Sequence, residues 1–443
     1  MEPQTNTTPA GFLDRNRMLI KGFLIGFLII IMLIPAAMLS NLVSERASRQ
    51  TEVIQEVSSK WASGQTITGP VVVVPYVGHA DSNKIYHSTF YLLPEQLNIN
   101  GKVLPEIRHR SLYDVTLYRS ALSLSGSFDP ASIQKLGIAP QDIQWDQAEI
   151  LLGLDDMRGL EDDVHLQWDA NLSILEAGLP DNNLVKEGLR AKVVLDTQKK
   201  MTFNIEVKFK GSEYLYFTPL GKSTDVQITS PWKDPAFDGQ YLPTQPAKIT
   251  DSGFLAQWKI LQASRSYPQA WKAATQYDIS KSSFGVKLLQ PTDSYAKTQR
   301  SVKYAILVIA LTFTIFFFIE IFQKRQVHPI QYILVGIALC IFYTLLLSIS
   351  EYTGFNNAYL IAAVATVSLI GFYVWSVFKK GKTAIGFTTA LAGLYLYIFV
   401  LIQLQDYALL CGSIGLFVIL AIIMYFSRKV DWYQPSAANI KQP

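Results

Sequence analysis

Apolar residues are concentrated in six long uncharged runs, one near the N-terminus and five in the last third of the chain. A bilayer core about 30 Å thick is crossed by roughly 20 residues of α-helix, at about 1.5 Å of rise per residue. The runs therefore predict six transmembrane helices in a one-plus-five arrangement. These predicted helices cover residues 18–40, 302–322, 330–350, 358–377, 384–404 and 408–426.

The long stretch between the first two spans is largely polar, and the spacing of its apolar residues changes along it. Just after the first span, apolar residues recur at helical intervals, which predicts an amphipathic helix over residues 41–63. Beyond it the period is two, most regularly over residues 204–210. Short strands with turn signals between them predict a β-rich domain over residues 64–300, arranged as an antiparallel sandwich. Residues 1–17 and 427–443 are the predicted tails.

Three local patterns give finer predictions within this domain. Asn100-Gly101 stands between apolar alternations and is typical of a tight hairpin turn. The alternation steps out of phase near Tyr118, which predicts a β-bulge there. Residues 164–174 are predicted to form one strand.

The cations of the short loops predict an orientation. Lys and Arg resist translocation, and they occur in alternate loops, whereas residues 351–357 and 405–407 have none. Both termini are therefore predicted to be cytoplasmic and the large domain to face outward. Because the first apolar run is longer than a signal peptide requires, we expect an anchor rather than a cleaved leader. The cations of the cytoplasmic side are Arg15, Arg17, Lys21, Lys324, Arg325, Lys379, Lys380, Lys382, Arg428 and Lys429.

Composition excludes some classes of function. The formal net charge of +4 is small, and the cations gather at span ends instead of forming a groove-sized patch, so no nucleic-acid binding is expected. Both cysteines, Cys340 and Cys411, lie inside apolar runs. The polar domain must therefore fold on its own hydrophobic core without disulfides.

Few polar residues suggest a catalytic or ligand-binding role. Glu320 is the only acid within a predicted span, and it stands four residues before Lys324, so a helical ion pair is favoured over a proton relay. Gly221-Lys222-Ser223 resembles the end of a phosphate-binding loop, but the required glycine is replaced by Tyr216. A turn between strands is therefore expected there.

Two charged groups in the domain leave alternatives open. The run 155–163, which includes Asp156, Arg158 and Gly159, could hold a hard cation or form a solvated loop, and its spacing is not that of an EF-hand. Arg108 and Arg110, together with Arg119, could attract an anionic lipid or sugar phosphate, or simply face water.

Neither a catalytic motif nor a zinc motif is recognisable in the domain. Its histidines lack zinc-ligand spacing and no nucleophile elbow occurs, so no catalytic residue, metal or cofactor is predicted. The tryptophans of the domain could form a ligand-binding face, but a role as core anchors is favoured. These tryptophans are Trp61, Trp145, Trp168, Trp232, Trp258 and Trp271.

Several short phrases occur together along nearly the whole chain. The phrases are Gly69-Pro70, Val74-Pro75-Tyr76, Leu93-Pro94, Asp156-Met157-Arg158-Gly159, Pro219-Leu220-Gly221-Lys222-Ser223-Thr224, Gly239-Gln240-Tyr241-Leu242-Pro243, Lys303-Tyr304-Ala305, Leu311-Thr312-Phe313, His328-Pro329-Ile330-Gln331-Tyr332 and Ser348-Ile349-Ser350-Glu351-Tyr352-Thr353-Gly354-Phe355. In this order and spacing, the sequence resembles the CreD family of inner-membrane proteins. Glu320 lies among these phrases, and Tyr352 stands where the family often has histidine.

The resemblance implies a bacterial inner-membrane protein with its large domain in the periplasm. It also implies expression under a CreB/CreC-type two-component system and a role in envelope integrity and stress response, without established catalytic residues. The leading hypothesis is a non-enzymatic protein whose periplasmic domain contacts envelope proteins or lipids. The alternatives are a transporter of a hydrophobic or envelope-derived molecule and a membrane-associated hydrolase. The sequence leaves the oligomeric state open. Glu320, His328 and Glu351 are kept as interaction or structural candidates.

Overall fold

The computed structural model describes residues 17–79, 85–179, 184–288, 294–323, 325–404 and 407–430. The chain forms two compact units, a helical unit and a β-rich unit. The helical unit comprises Met1–Arg49 and Thr292–Pro443, and the β-rich unit comprises Gln50–Pro291.

The described residues of the helical unit contain the predicted apolar helices. All of its helices except the short α2 are long and apolar enough to cross a membrane, which confirms the prediction of six such helices. The helices are α1 Arg17–Trp61, α2 Ser294–Lys303, α3 Ala305–Gln323, α4 Pro329–Thr353, α5 Phe355–Phe378, α6 Gly381–Gln403 and α7 Ala408–Ser427.

Helix α1 is a single element of 45 residues and joins the predicted first span to the predicted amphipathic helix. Within the helical unit it buries Ile25, Leu28, Met32 and Ala36, whose spacing of three and four places them on one face. A Cβ at Gly336 of α4 would lie 2.7 Å from the sulfur of Met32. The missing side chain therefore lets these two helices approach closely.

Helices α4, α5 and α6 pack through an aromatic core. The rings of Phe342 and Tyr395 lie 4.6 Å apart between centroids, and the Tyr359 hydroxyl donates to the backbone oxygen of Tyr395 over 2.8 Å. Helix α7 differs, because none of its described side chains is fully buried. It is therefore the most loosely packed of the long helices.

The β-rich unit contains sixteen strands among the described residues, joined by loops and short 3₁₀ turns. The strands are β1 Gln65–His79, β2 Ile85–Leu92, β3 Gln96–Arg110, β4 Tyr113–Phe128, β5 Glu149–Gly153, β6 Val164–Trp168, β7 Asn171–Ala177, β8 Gly188–Lys192, β9 Met201–Ser212, β10 Tyr214–Phe217, β11 Ser223–Ser230, β12 Pro235–Gly239, β13 Lys248–Thr250, β14 Gly253–Leu261, β15 Ala270–Lys272 and β16 Phe284–Leu288.

The strands form a mixed sheet, so the predicted antiparallel arrangement is corrected. The main path runs β12-β16-β10-β1-β5-β8-β7-β6-β9-β4-β3-β11-β14-β13, with β2 paired to β1 and β15 paired to β2. Most pairs are antiparallel, but β1 pairs with β10 and β3 pairs with β11 in parallel. Parallel partners need long crossovers, and alternation along a strand predicts its faces but not its partner.

The local strand predictions at three places are wrong. Gly101 lies in the middle of β3, where its missing side chain leaves room for Leu122 and Ile228 on the neighbouring strands. The β3–β4 and β4–β9 registers run without a shift past Tyr118, which is buried on the same face as Leu122, opposite the buried Leu117. Residues 164–174 form the hairpin β6–β7, which turns at Asp169 with a φ of 50°.

One hydrophobic core serves the β-rich unit and draws on nearly all of its strands. Trp168, Trp258 and Trp271 are buried in it, in agreement with the favoured role as core anchors. Trp145 and Trp232 are partly buried and pack against its edge. Trp61 has a different environment, at the end of α1.

Candidate functional site

Within the β-rich unit, the carboxylate of Asp156 holds the chain just beyond the end of α1. This side chain is buried, and it accepts hydrogen bonds from the backbone nitrogen of Ser63 over 2.9 Å and from the Ser63 hydroxyl over 3.1 Å. A helix end leaves backbone groups unpaired, and polar side chains beyond it supply the missing partners. Asp156 therefore fixes the direction in which the chain leaves α1.

Arg158 and Gln65 complete this helix-exit cluster, which consists of Ser59, Ser63, Gln65, Asp156 and Arg158. The Arg158 guanidinium donates to Asp156 over 2.9 and 2.7 Å and also to the backbone oxygen of Ser59. The Gln65 amide bonds both backbone groups of Asp156, over 2.9 and 3.2 Å. Each polar group in the cluster thus has a partner within the chain.

Gly159 ends the short 3₁₀ turn of this cluster and allows a close approach. A Cβ at this position would lie 2.5 Å from the backbone oxygen of Lys210 and 2.9 Å from the amide nitrogen of Gln65. Any side chain would push the turn away from β9. The Asp156-Met157-Arg158-Gly159 phrase therefore supplies both the acceptor and the space for the helix exit.

The electrostatics of the cluster favour the ionised carboxylate. The Arg158 guanidinium and the donors of Ser63 hold the pKa of Asp156 well below its usual range, although burial acts in the opposite direction. The hydrogen bond to Asp156 in turn raises the pKa of Arg158. The run 155–163 is consequently neither a free cation site nor a wholly solvated loop at this position. No three metal-ligating side chains come together anywhere in the described ranges.

Arg108 and Arg110 lie near the same end of α1, around Trp61. The Arg108 guanidinium carbon stands 4.3 Å from the centroid of the Trp61 ring, and the Lys210 ammonium 4.7 Å, both within cation–π distance. Arg110 lies 3.8 Å from Glu56 of α1, and Arg108 donates to Glu106 over 3.0 Å. The predicted anion-attracting cations are thus largely partnered by acids and by one aromatic ring.

Gly221 and Lys222 lie apart from the helix exit, in the turn between β10 and β11. Lys222 donates to Glu95 over 2.6 Å, and this contact raises its pKa. Arg265 donates to the backbone oxygens of Leu220 and Gly221, over 3.2 and 3.5 Å, and its burial lowers its pKa to about 10. The loop is therefore a cross-braced turn and has no phosphate cradle.

Glu320 forms a buried cluster within the helical unit. Its carboxylate accepts from Lys21 of α1, from the Tyr332 hydroxyl over 2.9 Å and from the backbone nitrogen of Val327 over 2.8 Å. Lys324, the predicted partner, lies outside the described residues. This Glu320 cluster joins α1, α3 and α4, so the acid holds helices together.

A second acid, Glu351, stands at the other end of α4 in a similar cluster. It accepts from the Tyr295 hydroxyl of α2 over 3.0 Å and lies 3.9 Å from the Arg46 guanidinium of α1. His328 caps the N-terminus of α4, where its ring accepts from the backbone nitrogen of Ile330 over 3.3 Å. Helix α1 is thus tied to α4 near both ends of α4.

The partners of these acids are the residues that sequence reasoning missed. Ser63, Gln65, Arg46 and Tyr295 lie far along the chain from the acids that they contact. The pairing of Lys21 with Glu320 could have been predicted, because Lys21 is a cation at a span end and Glu320 is the sole acid within a predicted span. The other partners carried no comparable signal.

The fold and these clusters define a multi-pass membrane protein with one β-rich domain between its first and second long apolar helices. Residues 17–433 match the family described as inner membrane protein CreD, and the chain belongs to this family. It is 29% identical to the inner membrane protein CreD of Escherichia coli strain K12 over 425 residues, which cover 93% of each chain.

Comparison with solved structures is less informative. A "putative nutrient binding protein" from Legionella pneumophila aligns with 55% of this chain and 80% of its own length. The two share 6% identity and a TM-score of 0.26, so no conclusion about this chain follows from the alignment.

Proposed function

We propose that the chain is a non-enzymatic inner-membrane protein that supports envelope integrity through its β-rich domain. The proposal rests on the contacts that the candidate polar residues of the domain make within the chain. Asp156 and Arg158 bond to the end of α1, and Arg108 and Arg110 contact neighbouring acids and Trp61. Polar side chains that bond within the β-rich unit, around the end of α1, suit a structural role better than catalysis.

We further propose that the domain faces the periplasm and contacts envelope proteins or lipids there. The one-sided loop cations support this orientation. A background lacking Cys340 and Cys411 can carry a single cysteine at exposed Lys233 of the domain or at exposed Lys379 of the α5–α6 loop. In intact cells opened only at the outer membrane, a membrane-impermeant maleimide should label K233C and spare K379C. The reverse pattern would overturn the orientation.

The envelope role is tested in a strain that lacks the gene. Such a strain should become more sensitive to detergents, colicins or envelope-targeting antibiotics, and the wild-type gene should restore resistance. Asp156→Asn should restore it poorly at an unchanged membrane level, whereas Asp163→Asn, in the same acidic run but exposed, should restore it fully. Unaltered sensitivity of the deletion strain would contradict the proposal.

A response to envelope stress is part of the same proposal. The family membership supports expression under a CreB/CreC-type two-component system, and immunoblots of the chain with and without that sensor kinase test it. An equal amount of the protein with and without the sensor kinase would contradict this regulation. Transport of a hydrophobic or envelope-derived molecule is the second candidate function, and the apolar lining of the cavity between α3, α6 and α7 is the observation that favours it.

A further inference from the structure

A cavity of about 630 Å³ lies within the helical unit between α3, α6 and α7. Small residues on α6, Ala390 and Gly393, leave the space open on one side. On the other side, α7 buries none of its described side chains completely. The cavity is thus an incompletely filled groove between helices.

The groove is apolar along its whole length. Two hydroxyl-bearing residues contribute to its walls, and both hydroxyls already bond within the chain. Thr314 donates to the backbone oxygen of Ala310 over 2.7 Å, and Tyr397 donates to the backbone oxygens of Cys411 and Gly412. The walls therefore favour methylene groups over any polar cargo.

The length of the groove matches one leaflet of a bilayer. Its wall runs from Leu311 to Phe322 along α3 and from Gly415 to Phe426 along α7, a rise of about 16 Å on each helix. Half of a bilayer core is about 15 Å. One acyl chain of a single leaflet therefore fits the depth of the groove.

Two cations follow the end of the groove at which Phe322 and Phe426 meet. The Lys429 ammonium lies 5.9 Å from the ring centroid of Phe426, and the Arg428 guanidinium 5.1 Å from that of Tyr425. Among the residues that the structure describes, no carboxylate lies within ion-pair distance of either cation, although other exposed cations of the chain have such partners. Positive charge at headgroup level is complementary to a lipid phosphate.

We propose that this groove binds an anionic glycerophospholipid, with one acyl chain between α3, α6 and α7 and the phosphate at Arg428 and Lys429. The site is independent of the β-rich domain and of its proposed role. It assigns to α7 a lipid as its packing partner, which accounts for the helix having no fully buried side chain.

The test uses the full chain, stripped of lipid in detergent and then incubated with equal amounts of dioleoyl phosphatidylglycerol and dioleoyl phosphatidylcholine. Native mass spectrometry counts the lipid that stays bound. We expect phosphatidylglycerol to be retained in preference. Gly393→Leu should reduce its retention about tenfold, because a Cβ at Gly393 meets nothing within 4 Å and the new side chain enters the groove. Gly22→Leu is the matched control, since it also has room and lies on α1.

A second pair of variants separates the phosphate from the acyl chain. Arg428→Gln with Lys429→Gln should leave a lipid bound and abolish the preference for phosphatidylglycerol. Lys379→Gln with Lys382→Gln removes the same charge from exposed positions that do not line the groove and should keep the preference. Both cation pairs are exposed, so folding is not at stake.

Three results would overturn the inference. The first is equal retention of the two lipids by the wild-type chain. The second is retention by Gly393→Leu at the level of Gly22→Leu. The third is a lipid-free dimer that Gly393→Leu dissociates, which would assign the groove to a second copy of the chain.

Discussion

Asp156 accepts five hydrogen bonds, from both donors of Ser63 and from three nitrogens of Arg158, while almost fully buried. Replacing it by asparagine removes the charge and leaves the guanidinium partly unpaired. Because the exposed Arg158 guanidinium can then bind water, we expect Asp156→Asn to lower the free energy of unfolding by about 1–3 kcal/mol. Asp163→Asn, which is exposed, should change it by less than about 0.5 kcal/mol.

The measurement is thermal unfolding of the full chain in detergent followed by tryptophan fluorescence. Six of the eight tryptophans lie between residues 61 and 271, so the signal reports chiefly on the β-rich unit. Equal shifts for the two variants would mean that the buried carboxylate contributes nothing special to stability.

The depressed pKa of Asp156 gives this contribution a definite dependence on pH. In the unfolded chain the pKa of this carboxyl is about 3.9, and in the folded chain its pKa is lower. The stabilisation is therefore complete above that unfolded value and is lost as the pH falls toward the folded pKa. The difference in unfolding temperature between wild type and Asp156→Asn should stay constant down to about pH 5 and shrink below about pH 4. A difference independent of pH would contradict the ionised role.

At the scale of elements, the apolar runs predicted the long helices because a helix in a bilayer must be apolar along its whole length. The pairing of the strands was harder to predict from the sequence. Gly101 followed the rule for a hairpin turn but serves close packing between Leu122 and Ile228 in the middle of β3. Burial of Tyr118 on the second face of β4 imitated a bulge. The predicted bulge was wrong because β4 is covered on both faces there and loses the simple alternation. The predicted turn was wrong because a glycine inside a strand can also serve close packing.

The candidate site was predictable only in part for a related reason. The Asp156-Met157-Arg158-Gly159 phrase was noticed as a phrase, but its partners Ser63 and Gln65 are separated from it by more than 90 residues. A helix exit contains no periodic signal, and a contact between distant loops leaves none in the sequence. Tertiary structure was needed to bring them together.

The Glu320 cluster predicts how α1 is held within the helical unit. Glu320→Ala would leave the ammonium of Lys21 in a mostly buried place without its acid, and we expect a loss of about 3 kcal/mol. Lys21→Met combined with Glu320→Leu removes both charges and should cost clearly less. Glu45→Ala, at an exposed position of α1, is the control.

A thiol-reactive dye measures this effect at Cys340, which is buried in α4, in a background in which the partly exposed Cys411 is replaced by alanine. Heating exposes the Cys340 thiol as the helices separate. If the double variant unfolds at the same temperature as Glu320→Ala, the ion pair is not what stabilises α1.

At the scale of the whole molecule, the two compact units carry separate probes, because both cysteines lie in the helical unit and most tryptophans in the β-rich unit. The β-rich unit has a hydrophobic core of its own, and a unit with its own core can unfold on its own. We therefore expect two transitions on heating the full chain, one seen by the dye and one by tryptophan fluorescence.

The substitutions discriminate this behaviour from a single cooperative transition. Asp156→Asn should lower the tryptophan midpoint and leave the dye midpoint in place, and Glu320→Ala should do the reverse, because each side chain contacts residues of one unit. Mutations in one cooperative unit shift all probes together, whereas mutations in separate units do not. If either substitution moves both midpoints equally, α1 couples the two units into one cooperative structure, and their independent stability is ruled out.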